Sequence, residues 1–434
     1  MQRPLIAVLL TSAFLTLNAQ AADLIQVYQQ AMANDATYAS ARSAVAAGRE
    51  ATTQGRSGLL PSIQASGQNL RNTGNATTPL LGKQPNDYHS NAYTVALSQP
   101  LFNWAAWQTY QQSKLIQAAS EATFSQAGQD LIVRVAQAYF DVLTAQDNLT
   151  STQAQKVATT EQLASAKRNF EVGTQTITDT HEAQAAYDLV VAQEYAAIND
   201  LDNKRNALQV IVGTLPAELA PLRAGVTLSA PEPAAVEPWI SSAETQNFSV
   251  IGAQLSLEIA KREIERNRAN HMPTASLTAS STHQYQTAYG ATDNKAIGVS
   301  WSVPIFSGFA VTSKVRETIA LEDKARNDLE ATKRFASQSA RQAFLGLNSG
   351  LAQVKALEAA EVSSKSSLDS NKLGYQVGVR INIDVLNAQK LLYSTQRDLS
   401  KARYDTIMNG LRLKAAAGTL KEDDLGPINA LLTK

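Results

Sequence analysis

Few side chains in this sequence could do covalent or metal chemistry, and their spacing excludes most of what they could do. Cysteine is absent, which removes thiolate nucleophiles, disulfides and thiolate-bound metals. The four histidines, His89, His181, His271 and His283, fit no HExxH or other zinc spacing. There is no glycine-rich phosphate loop and no serine in a nucleophile-elbow context. Glu258, Glu263 and Glu265 share a stretch with Lys261, Arg262 and Arg266, a solvated, salt-laced helix face and not an acid–base pair. The pattern predicts no enzyme, no cofactor and no metal. Two carboxylates in matching settings remain. Asp179 and Asp384 each follow a glycine turn and open a helix, where an acid can cap free backbone N–H groups, with Glu182 completing a capping box behind Asp179.

The match between those two settings is part of an internal duplication. Phe170-Glu171-Val172-Gly173-Thr174 aligns with Tyr375-Gln376-Val377-Gly378-Val379, and Gly173 and Gly378 stand 205 positions apart. The same offset pairs Gln137-Ala138-Tyr139 with Gln342-Ala343-Phe344, Asp179 with Asp384, and Gly213-Thr214-Leu215 with Gly418-Thr419-Leu420. Each half predicts the same order: a helix (24–59, then 248–271), two short strands, a very long helix (105–169, then 311–373), a glycine turn, and a return helix (179–212, then 384–417). Each long helix would reach roughly 95 Å at 1.5 Å per residue. Residues 22–215 form the first repeat, the Pro- and Ala-rich 216–246 the linker, 247–420 the second repeat and 421–434 a tail. The halves have also diverged, since Tyr375 and Arg380 bring hydrogen-bond donors where the first repeat has Phe170 and Gln175.

Compartment follows from the first residues. Arg3, the apolar run from Leu5 to Leu17 and Ala19-Gln20-Ala21 predict a secretory leader over 1–21 with the mature chain starting at Ala22. No other segment is apolar for the roughly 20 residues that a membrane-spanning helix needs. Lys plus Arg and Asp plus Glu both count 38, for a net charge of zero, so no basic field exists to hold nucleic acid.

The strands point to the membrane by another route. Ile297, Val299, Trp301 and Val303 alternate with Gly298, Ser300 and Ser302, and Tyr93, Val95 and Leu97 repeat the pattern. Such alternation suits a wall between lipid and water, where open sheet edges are forbidden. Four strands cannot close alone, so closure requires copies. Two would give a filled eight-stranded barrel, whereas three would give twelve strands and begin to leave a lumen. Trp104, Trp107 and Tyr110, just past a strand end, fit either an interfacial aromatic belt or helix packing. The fold class is therefore mainly α with a small β part: long coiled-coil helical hairpins plus four strands per protomer contributing to a shared barrel.

Taken in order and duplicated, several segments resemble the TolC family of outer-membrane efflux ducts. They are Leu24-Ile25-Gln26-Val27-Tyr28-Gln29-Gln30-Ala31, Leu59-Leu60-Pro61, Ala138-Tyr139-Phe140, Ile177-Thr178-Asp179, Gly374-Tyr375-Gln376-Val377-Gly378, Ile383-Asp384-Val385-Leu386 and Gly418-Thr419-Leu420. The resemblance implies a homotrimer with a twelve-stranded barrel in the outer-membrane lipid and helices in the periplasm. It also implies a periplasmic adaptor and an inner-membrane pump of the ABC or RND type as partners, with drugs or proteins as cargo. By the same resemblance, gate contacts would join Asp179 to Tyr375 and Thr178 to Arg380, and Asp384 would ring the entrance constriction. The family's second acid is Asn387 here, and the turns at Gly173 and Gly378 would dock the adaptor. The alternative is a soluble periplasmic coiled-coil adaptor or scaffold.

Overall fold

A computed structural model describes residues 21–79, 82–223, 225–287 and 290–433. The leader expected over 1–21 thus lies, but for Ala21, outside the described residues. Of the described residues, 69% are helical and 15% are in strands. It divides into two compact units, one of 40–127 with 240–338 and one of 1–39, 128–239 and 339–434. Each unit takes equivalent stretches from both repeats.

The first unit holds the sheet. Strands β1 (Ser62–Asn72), β4 (Tyr88–Phe102), β5 (Thr274–Gln286) and β6 (Gly290–Ser302) lie antiparallel in that order. The β4–β5 pairing joins the hairpin of one repeat to that of the other. Register puts Ile63, Leu97, Ala279 and Ile297 in one row and Leu277 beside Val299 in the next. On the opposite face Thr94 meets Thr282 at 3.0 Å and Ser276 meets Ser300 at 2.8 Å. One face is thus apolar and the other hydroxyl-lined, as alternation requires. Ile297 and Trp301 are 78% and 76% exposed, and β1 and β6 each have a partner strand on one side only. A small hairpin, β2 (Asn75–Thr78) with β3 (Gly82–Pro85), interrupts the link from β1 to β4. Its short polar strands give no alternation to read.

Helices α3 (Trp104–Glu171) and α7 (Ala310–Gln376) begin in the sheet unit and end in the other. There they turn into α4 (Ile177–Val212) and α8 (Asn382–Ala416). The helix expected over 24–59 is two, α1 (Leu24–Asn34) and α2 (Ala36–Ser57). Asp35 breaks it by accepting the amide of Tyr38 at 2.6 Å, which caps the new helix. Its carboxylate also holds Arg134 through two bonds of 3.0 and 3.1 Å. The inter-repeat stretch likewise carries a helix, α5 (Glu237–Gln246), ahead of α6 (Phe248–Arg268), and α9 (Leu425–Asn429) lies in the tail.

The core of this unit gathers Leu24, Val27, Leu131, Val135, Tyr139, Phe140, Leu208, Met408 and Leu411. The Tyr139 hydroxyl donates to the carbonyls of Ala220 (2.8 Å) and Ala22 (3.2 Å), and Phe140 stacks on Tyr404 with centroids 5.5 Å apart. Complete burial of these aromatics, with the polar tip satisfied, is what makes so large a side chain stabilising.

Candidate functional site

The predicted site residues meet where the two helical hairpins turn. Gly173 and Gly378 have φ of +77° and +78° with open space where a Cβ would stand. They end α3 and α7 in the left-handed conformation glycine permits. The turns are copies: the amide of Thr174 donates to the carbonyl of Asn169 and that of Val379 to Gly374, both at 2.9 Å.

Asp179 lies three positions deeper in its helix than the cap expected for it. The cap of α4 is Thr176, and Asp179 sits at the third helical position, accepting from the Thr176 amide (3.1 Å) and hydroxyl (2.8 Å). Asp384 holds the same place in α8, but Ile381 in the cap position has no side-chain acceptor. The Asp384 carboxylate is therefore left freer, 3.7 Å from the Arg380 guanidinium. Arg380 lays its stem over Gly374, where a Cβ would come within 2.6 Å of its Cγ. Asn387 lies three residues beyond Asp384 and is exposed, as is Thr178.

Tyr375 does join the hairpins, although to residues other than Asp179. Its hydroxyl donates to Gln175 Oε1 at 2.8 Å and accepts from Asn169 Nδ2 at 3.3 Å. The carboxylate of Asp179 is turned to its own helix start, which is why the phenol finds the neighbouring amides. Within one chain Arg380 likewise meets Asp384 and not Thr178.

One participant escapes the motifs. Asn382, the first residue of α8, is 0% exposed. Its Nδ2 donates to the Asp179 carbonyl at 3.0 Å and its Oδ1 accepts from Gln162 Nε2 at 2.6 Å. The signal was available: 205 positions earlier the repeat has Ile177, which is exposed. Farther along the contact between α3 and α8, Arg397 donates to Gln155 at 3.2 Å, Ser151 to the Tyr393 carbonyl at 3.3 Å and Tyr404 to Asp147 at 2.9 Å. Burial raises the Asp147 carboxyl, against the lowering effect of bonds from Tyr404 and Ser400. Among the described residues no His, Cys, Asp or Glu group is placed to hold a metal ion, and no helix is long and apolar enough to cross a membrane.

The sequence and the fold are shared with known proteins. The family model described as outer membrane efflux protein matches residues 27–214 and 239–419. The chain belongs to this outer membrane efflux family. Within the family it is 34% identical to the outer membrane protein TolC of Escherichia coli K12 over 448 residues, spanning 99% of this chain and 89% of that protein. It is 33% identical to the alkaline protease secretion protein AprF of Pseudomonas aeruginosa, across 96% of this chain and 89% of the other. The crystal structure of the outer membrane protein VceC of Vibrio cholerae shares the fold with a TM-score of 0.79 at 18% identity, covering 91% and 96% of the two chains.

The protein is thus an outer-membrane export channel with a periplasmic helical part. Channels of this family work as trimers with inner-membrane pump and adaptor components. Three copies of a four-stranded sheet give twelve strands. A soluble periplasmic scaffold finds no support in these relatives.

Proposed function

We propose that the hairpin tips form the gated periplasmic entrance of this export channel. Drugs or proteins would enter from an ABC or RND-type pump joined to it by an adaptor seated on the turns at Gly173 and Gly378. The observation that carries the reading is the bonding of the second hairpin to the first at the tip by contacts in which the second hairpin offers side chains, among them Tyr375 to Gln175 and Asn169. Side-chain bonds between helices can be exchanged for water without unwinding either helix, so the second hairpin can move as a rod. Each such bond contributes about 0.5–1.5 kcal/mol net, small enough for a docked partner to overcome. Likeness to AprF, a protease secretion protein, favours protein cargo among the exports of this channel.

Asp384 is the acid of the entrance, and three copies of it would draw cations. Arg380 beside it tempers that field, and Asn387 adds no second acid. Thr178 presents the acceptor that Arg380 of an adjacent hairpin would reach once assembled. The test is single-channel conductance in planar bilayers. Arg380→Ser with Tyr375→Phe should raise it several-fold over wild type. Conductance equal to wild type removes the gate from these residues.

A further inference from the structure

The best-shielded polar contact at the tip is the one made by Asn382. Tyr375 is partly exposed and Arg380 is exposed, so water competes for both. Asn382 is fully buried, and its single amide reaches both arms of the first hairpin: α3 through Gln162 and α4 through the Asp179 carbonyl. Gln162 is itself buried. The buried residues that follow Asn382 along α8 are Val385, 0% exposed, Leu386 and Ala388, and then the amide Gln389.

We propose that Asn382 and Gln162 form an inner clasp of the gate, a buried amide bridge that must part before the second hairpin can swing from the first. The inference rests on the gating function proposed above and adds to it a residue pair lying behind the exposed contacts. Three observations support it. The bridge sits at the first residue of α8, next to the turn that carries Arg380, where a small rotation of the hairpin displaces it most. A contact needed only for packing would be met better by a hydrophobic residue, since a buried polar pair is often no more stabilising than its apolar replacement. Its distinctive property is that both amides can bond to water once parted, whereas parting an apolar contact exposes surface that water does not solvate. Finally, the duplication places the amide in one repeat alone, with Ile177 at the matching site, so the two hairpins are clasped asymmetrically.

Asn382→Leu keeps the volume and removes both bonds, leaving Gln162 and the Asp179 carbonyl buried and unpaired only while the tip is closed. Open-state occupancy in planar bilayers should rise about tenfold. Because the chain lacks cysteine, Gln162→Cys with Asn382→Cys can also be bridged by a short bifunctional thiosulfonate in the Tyr375→Phe, Arg380→Ser background. Bridging should return that channel to low conductance, and a reductant should release it. The clasp is overturned if Asn382→Leu trimers conduct like wild type while Tyr375→Phe, Arg380→Ser trimers conduct more, or if the bridged channel stays open. If Asn382→Leu trimers do not assemble, the bridged channel decides alone. Wild-type conductance in every variant removes the gating function itself, and the clasp with it.

Discussion

Around Tyr139 and Phe140, helix α3 buries Leu131, Ile132, Val135, Val142 and Leu143, whereas farther toward its turn the buried set becomes mostly polar, with Thr152, Gln155, Thr159 and Gln162 ahead of Leu163 and Ala166. One helix thus packs against its neighbours in two chemistries. At the base, burial of each large apolar side chain is worth about 1.5–3 kcal/mol, and water offers nothing in exchange on separation. At the tip, each amide or hydroxyl contact nets about 0.5–1.5 kcal/mol because water can take the partner's place. On the gating function proposed above, the base stays shut and the tip parts, and the boundary falls near Asp147 and Tyr404, whose bond is the first between α3 and α8 beyond the stacked aromatics.

Substitutions should separate the two chemistries by size of effect. Phe140→Ala at the base should cost about 3–5 kcal/mol, seen as a large fall in the thermal midpoint of detergent-solubilised trimers. A midpoint within a degree or two of wild type would mean that the apolar core is not what holds the coils.

Asp35→Asn should cost about 2 kcal/mol by breaking a charge-assisted pair with Arg134. Burial works to raise the Asp35 carboxyl, but Arg134 and the amides of Tyr38 and Thr37 outweigh it and hold it below its ordinary value. Its stabilisation is therefore present above the usual carboxylate range and lost as pH falls through the lowered value. Asp147 runs the other way: burial raises it, so its destabilising ionised form appears as pH rises through the raised value. Thermal melts across pH should show Asp35→Asn removing an acid-side loss and Asp147→Asn removing a gain on acidification. The same pH profile for both variants would erase the distinction.

At the tip, Thr159→Val should cost about 1 kcal/mol or less. Asp384→Asn should leave the thermal midpoint unchanged while shifting the reversal potential toward lower cation preference. An unmoved reversal potential would take Asp384 out of the constriction.

Most of this contrast could be anticipated from residues. The long helices extend only slightly beyond their expected bounds, because Ala, Leu, Gln and Lys without prolines leave no other local structure. Strand β6 is plain from its alternation, and β1 is faint because Gln64, Ser66 and Gln68 alternate with Ala65 and Gly67, too small to mark an apolar face. The break at Asp35 carries neither glycine nor proline and depends on a tertiary partner, Arg134, that lies 99 positions away. In the site, the repeat exposed Tyr375 and Arg380 by their difference from Phe170 and Gln175. The same comparison held Asn382 against Ile177, but an amide at a helix start resembles an ordinary cap, and only its complete burial marks it as a bridge. The cap of α4 lies three positions ahead of Asp179, because the Thr176 hydroxyl takes it and Asp179 answers from the third helical position.

The division between a fixed base and a parting tip can be measured as two distances. Spin labels on cysteines replacing Glu161 and Lys390 report on α3 and α8 near the tip, and a second pair replacing Gln137 and Arg412 reports near the base. When Tyr375→Phe and Arg380→Ser are introduced, the tip distance should lengthen by several ångströms and broaden, while the base distance keeps its wild-type value. Equal lengthening of both pairs, or none in either, would contradict a coil seam whose polar end opens about an apolar anchor.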